Sequence, residues 1–329
     1  MSFIVRRLIF YVVAAWVALT INFFIPRLVP GNAVESIMSK FPTSLQPSAY
    51  HALEAMLGVG HPGSIGHQYW AYLVDVFHFN LGTSTSEFPA QVSTLLGEAL
   101  PWTIILVGSA TVIAFLVGTA LGIAAGWRHG GGLDRVLPAL MFLQAIPYFF
   151  FALILLELFA VKVHVFPIAQ GYGQGLVPGW NWAFISSAVD HSLLPALTIV
   201  LTSIAGWMLQ MRNVMITTIG EDYVIAAQAK GLHNRRVVFT YAARNAILPQ
   251  LQGFGLAIGF VVSGALVMEI VFSYPGIGLL LVNAVTSNDY ALTQGIFLVI
   301  TLAVLLANLI VDLIIVFVDP RARAREATR

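Results

Sequence analysis

The chain of 329 residues contains no cysteine, only three lysines, and charged side chains at 9% of its positions. The first absence excludes disulfides, thiol catalysis and thiolate-held metal. The second excludes a phosphate-cradling loop, which needs a lysine followed by serine or threonine. Lys40, Lys162 and Lys230 are followed instead by Phe41, Val163 and Gly231. The chain is therefore not expected to hydrolyse ATP. The third, together with 58% hydrophobic residues and a mean hydropathy of +0.86, leaves too little polar surface to cover a soluble fold. The expected solvent is a lipid bilayer.

What the sequence does contain is a series of long apolar runs. Crossing the hydrocarbon core takes about 20 apolar residues per helix, and six segments meet that length, near 8–28, 101–126, 136–163, 193–216, 253–274 and 293–318. Arg6 and Arg7 ahead of the first run imitate a signal peptide. That run is long enough to span, however, and Pro26, Arg27 and Pro30 follow it rather than a small-residue cleavage site, so a retained helix is expected. Arg6/Arg7, Arg128/Arg135, the Arg212–Arg244 segment and the Arg321–Arg329 tail fall on one side of a six-helix alternation, against Arg27, Lys40 and Lys162 on the other. Positive charge marks the cytoplasmic side. The expected fold class is an all-α membrane protein with six transmembrane helices and both termini cytoplasmic.

Three parts follow: an N-terminal transmembrane helix (1–28), an extracytoplasmic insert (29–98), and a core of five transmembrane helices (99–329). The insert reads either as a folded cap or as a binding element. Its half-apolar run QYWAYLVDVFHF, Gln68–Phe79, suits a short helix lying on the membrane face or packed on the bundle. His51, His61, His67 and His78 lack helical metal-pair spacing and an acidic companion, so no metal site is expected. Gly118, Gly122 and Gly126 recur every four residues, as do Gly255, Gly259 and Ser263, a register that lets helices approach closely in lipid. Pro138 and Pro147 should break the third span, and Pro101 and Pro195 should mark helix starts.

The segment 213–250 differs from its surroundings. Glu221 and Asp222 place acid at the positive end of a helix dipole, Lys230 places a base at the negative end, and Gly231 supplies the cap. Ala226, Ala227 and Ala229 give this Asp222–Leu232 helix a small-residue face, and Asn234 is expected to cap a second helix running to about Ile247. Such a helix fits a partner's groove; equally, the segment could be a basic interfacial loop that merely obeys the charge rule. Intramembrane polar residues are candidates for a substrate pathway, here Glu157, Asn213, Glu269, Asn308 and Asp312. Local pairing or snorkelling explains them equally well.

The block AAQAKGL…RNAILP resembles the EAA loop of ABC importer permeases, in the form carried by the first permease of the dipeptide/oligopeptide/nickel branch. VRRLIFYVV at 5–13, PGN at 30–32, FNLGTS at 79–84, LPWTIILVGSA at 100–110, FSYPGIGLLLVNAV at 272–285, NDY at 288–290, NLIVD at 308–312 and DPRAR at 319–323 resemble the same branch in the same order. Ile225 stands where the motif's glutamate is usual, Asn32 where an aspartate is, Asn288 where an arginine is, and Ile315 where a tyrosine is.

The resemblance implies a type I ABC importer permease fold in a bacterial or archaeal cell membrane. It implies that Asp222, Tyr223, Ala226, Ala227, Gly231 and Leu232 form or support the coupling contact with an ATPase subunit. The implied partners are a second homologous permease in a heterodimer, two ATP-binding subunits that hold the ATP and Mg, an extracytoplasmic solute-binding protein, and membrane lipid. Neither a cofactor on this chain nor a nucleic acid partner is implied. Di- or oligopeptides are the leading cargo, with oligosaccharides or a nickel chelate as alternatives. A stand-alone secondary transporter is the competing class, against which the lack of inverted repeats and midplane carboxylates counts.

Overall fold

The computed structural model describes residues 3–28, 64–261 and 266–318, and among these the regular structure is helical. In order the helices are α1 (Phe3–Leu28), α2 (Ile65–Phe77), α3 (Val92–Trp127), α4 (Gly132–Ala145) and α5 (Tyr148–Leu155, continued by π-helical Leu156–Lys162). They continue as α6 (Trp182–Ile219), α7 (Asp222–Ala229), α8 (Asn234–Arg236, π-helical Val237–Ala243, then Arg244–Val261), α9 (Leu266–Val271), α10 (Ile277–Thr286) and α11 (Tyr290–Val318). Among the described residues four helices are long and apolar enough to cross a bilayer: Val5–Ile25, Val92–Trp127, Trp182–Ile219 and Tyr290–Leu313. A fifth is added if α4 and α5, bent by 98° at their junction, make one span. The chain divides into two compact units.

The first unit comprises residues 3–28, 64–103, 266 and 275–318. Here α1 and α11 run antiparallel, because Arg7 near the start of α1 meets Asp312 near the end of α11 and Asn22 meets Gln294 at the opposite ends. α2 opens with Ser64, whose hydroxyl accepts from the His67 N–H. It packs on the end of α1, with the rings of Tyr69 and Tyr72 at 5.1 and 5.5 Å from that of the buried Phe23. Trp70 and Phe77 are left outward.

α3 begins at Val92, inside the stretch assigned to the insert, so Pro101 sits within the helix rather than at its start. The reason is visible in the first turns: Val92, Leu96 and Ala99 lie on one face and enter a core with Ile277 and Ala284 of α10 and Leu292 and Ile296 of α11. Burial of that stripe outweighs the one ladder bond a proline removes. α10 starts at a glycine cap with no side chain to offer, and Thr103 accepts its first N–H, from Ile277, at 2.8 Å.

The second unit comprises residues 104–261 and 267–274. α3 and α6 cross here at near-contact. A Cβ on Gly118, Gly122 or Gly126 would lie 2.5–2.6 Å from atoms of Trp207, Met208, Met211 or Met215. Only glycine permits that approach, so the register read from sequence is a packing seam. Pro195 is interior to α6, which starts earlier, at an Asn181 cap whose Oδ1 accepts from the Phe184 N–H at 2.8 Å. Pro138 lies within α4 without ending it, whereas Pro147 does end it: Ile146 is extended, ψ 127°, as a residue before proline must be. Of the expected span at 253–274, residues up to Val261 lie on α8 and Leu266–Val271 form α9, and 262–265, hence Ser263, lie outside the described residues. His51, His61, Lys40 and the basic tail also lie outside them.

Candidate coupling surface

α6 ends at Gly220, and Glu221 turns the chain directly into α7. α7 is short and ends in a complete Schellman motif. Gly231 adopts φ +71°, its N–H donates to the Gln228 carbonyl at 2.9 Å, and the Leu232 N–H donates to the Ala227 carbonyl at 3.4 Å. Space around Gly231 is open, so the demand for glycine is conformational rather than steric.

The following helix differs from its sequence expectation. His233, not Asn234, is the cap, accepting from the Arg235 N–H, and the helix does not stop near Ile247 but passes through Pro249 to Val261. Ala246 and Gln250 face inward across that proline, so the buried stripe carries the helix onward. The π-helical Val237–Ala243 turns Val237, Val238, Ala242 and Ala243 into the core while Phe239 stays outward.

These elements give α7 two unlike faces. Val224 and Ala227, three residues apart, are buried among Met211, Met215, Val237, Ala242, Ala243 and Ala246, and Leu232 packs against the same cluster. Asp222, Tyr223, Ile225, Ala226 and Gly231 are exposed, with Tyr223 at 40% and Ile225 at 50%. Of the six residues implied for coupling, Asp222, Tyr223, Ala226 and Gly231 are thus presented outward, while Ala227 and Leu232 anchor the helix from beneath. The frame is braced nearby: Arg212 holds Asp134 through two bonds, Nε to Oδ1 at 2.7 Å and Nη2 to Oδ2 at 3.0 Å, and the Gly130 N–H donates to the same carboxylate.

The five intramembrane polar candidates are distributed rather than gathered. Glu157 is exposed and lies 3.7 Å from an equally exposed Lys162. Asn213 is exposed and accepts from Arg212 at 3.3 Å. Glu269 is fully buried, and its carbonyl accepts from the Tyr274 N–H at 2.7 Å. Asp312 accepts from Arg7 at 2.8 Å and from the Tyr11 hydroxyl at 2.7 Å, which is local pairing. Asn308, one turn earlier on α11, keeps a buried Oδ1 with no hydrogen-bond partner among the described residues.

Sequence reasoning passed over Asp289. It is buried, caps α11 through the Leu292 N–H at 3.0 Å, and accepts from the Ser84 hydroxyl and from both the N–H and the hydroxyl of Ser86. The signal was present, since FNLGTS and NDY had both stood out, but nothing in either stretch says that they meet.

Residues 118–324 match the family described as binding-protein-dependent transport system inner membrane component. A peptide permease protein of Brucella suis is 34% identical over 308 residues, covering 93% of this chain and 94% of its own. The di/tripeptide transport system permease protein of Pseudomonas aeruginosa is 32% identical over 338 residues, covering 98% and 99%. The dipeptide transport system permease protein of Escherichia coli is 30% identical over 346 residues, covering 99% and 100%. With the match spanning α7 and its flanks, and relatives aligned end to end, the chain belongs to the family of binding-protein-dependent transport system inner membrane components.

Proposed function

We propose that the chain is the permease subunit of an ABC importer for di- or oligopeptides, spanning the membrane six times with both termini in the cytoplasm. A second homologous permease completes the pore, two ATP-binding subunits hold ATP and Mg, and a solute-binding protein delivers the peptide outside. The peptide cargo rests on the names of the three relatives above, each described as a peptide, di/tripeptide or dipeptide permease. The observation that carries the coupling role is the two-faced α7, rooted in the core by Val224 and Ala227 and offering Tyr223, Ile225 and Ala226 outward.

On this reading, closure of the ATPase pair on ATP moves α7, and the seam of α3 and α6 transmits the motion because glycine contacts leave it no slack. ATP shifts inward-open against outward-open states only by its differential affinity for the two. Gly231→Trp tests this: its side chain would occupy open space at the outward end of α7 and force a bulky residue into a left-handed conformation, at about 1–2 kcal/mol. Folding and membrane insertion should survive while ATP-coupled peptide uptake falls to background. Unimpaired uptake in that variant would overturn the coupling role.

A further inference from the structure

In the first unit, a cavity of about 200 Å³ opens between the C-terminal end of α1, α2 and the N-terminal end of α11. Its polar wall is Asn22, Gln68, Tyr72, Asp75, Asn80 and Gln294, and Leu81 and Leu298 close the apolar side. Among the described residues that line it there is no lysine, arginine or histidine, and Asp75 gives that described part of the wall a negative charge.

The hydrogen bonds among the described residues leave three acceptors on the wall open. Asn22 uses both Nδ2 protons, one on the Tyr72 hydroxyl at 3.1 Å and one on the Gln294 carbonyl at 3.2 Å. Gln294 Nε2 donates to the Asn22 carbonyl at 3.0 Å, and Asn80 Nδ2 donates to Asp75 Oδ1 at 3.1 Å. Asn22 Oδ1, Gln294 Oε1 and the second Asp75 oxygen accept nothing from the described residues. Asn22 is only 5% exposed, so its amide oxygen meets little besides the cavity and whatever donor occupies it.

We propose that this cavity binds the α-ammonium end of a peptide. An ammonium brings three donors, no acceptor and a positive charge, which is the complement of two amide oxygens and a carboxylate. The volume is below the roughly 300–1,000 Å³ of pockets that enclose a whole ligand, so it takes one end of a peptide and leaves the rest outside. The inference rests on the importer reading, because the proposed topology turns the α1 C-terminus and the α11 N-terminus to the extracytoplasmic side.

The test uses the assembled transporter in lipid nanodiscs, with saturation-transfer NMR on alanyl-alanine and its N-acetylated form. Alanyl-alanine should bind, propylammonium should displace it, and acetylation should weaken it by about tenfold or more, as loss of a charge-assisted contact implies. Asp75→Asn keeps the acceptor for Asn80 and should abolish the preference. Equal binding of the two peptides, no displacement by propylammonium, or a preference that survives in Asp75→Asn overturns the proposal. A transporter that couples uptake to ATP, and loses it in Gly231→Trp, yet shows no Asp75-dependent preference would fail this proposal alone and leave the importer reading intact.

Discussion

The two units use close packing and polar ties in different proportion. In the first, polar side chains far apart in sequence are tied by hydrogen bonds: Arg7 and Tyr11 to Asp312, Asn22 to Gln294, and Ser84 and Ser86 to Asp289. In the second, α3 and α6 meet through Gly118, Gly122 and Gly126 against Met208, Met211 and Met215, with the Asp134–Arg212 pair and the Gln250 bonds to Thr119 and Trp207 as polar ties beside them. Lipid explains both solutions. Between hydrocarbon chains a helix gains nothing by hiding leucine, so association comes either from backbones brought close enough for dispersion or from polar groups that have no water to turn to. The seam should therefore tolerate no added volume, whereas the ties should fail one bond at a time.

The largest effect is expected where the seam is forced apart. Gly122→Leu puts a Cβ 2.6 Å from the Met208 carbonyl oxygen and the Met211 Cβ, and should destabilise the second unit by about 3 kcal/mol or more. Gly108→Ala on the same helix meets only Val261, at 3.7 Å, and should be neutral or slightly stabilising. Resistance to unfolding in mixed detergent micelles measures both, and equal losses would erase the seam. Next is Asp289→Asn. An amide cannot accept everything that the carboxylate does from Ser84, Ser86 and Leu292, and about 2–3 kcal/mol should be lost in the same assay. Smallest is Arg7→Ala: Arg7 is 41% exposed, Asp312 keeps Tyr11, and the loss should stay within about 1 kcal/mol. A loss from Arg7→Ala that matched Asp289→Asn would show that α1 depends on that pair far more than its exposure implies.

α7 marks how far local reading reaches. The glycine stop, the acidic first turn and the small-residue face are all consequences of helix chemistry within a dozen residues, and the structure has them. That Ala227 lies inward while Ala226 lies outward depends on where Met211 and Met215 arrive, which no window around α7 contains. Pro101 and Pro195 misled for the same reason. A proline inside a helix loses one ladder bond and crowds the carbonyl four residues back, and that cost yields when the residues on either side belong to one buried stripe. Ile225, where a glutamate is usual in the resembled motif, sits half exposed on the outward face and needs no partner within this chain.

By itself the sequence determined the solvent, the apolar helices, the four-residue glycine register, the left-handed stop at Gly231 and the family, because each follows from composition or from contacts within a few residues along one helix. Only the tertiary structure decided that Asp289 gathers Ser84 and Ser86, that Asp312 answers Arg7 from 305 residues away, and that Asn22, Asp75 and Gln294 wall one cavity. Pairings at such separation leave no local periodicity. They are set when helices that hydrocarbon has already forced to form choose neighbours by shape and by the polar groups left to satisfy.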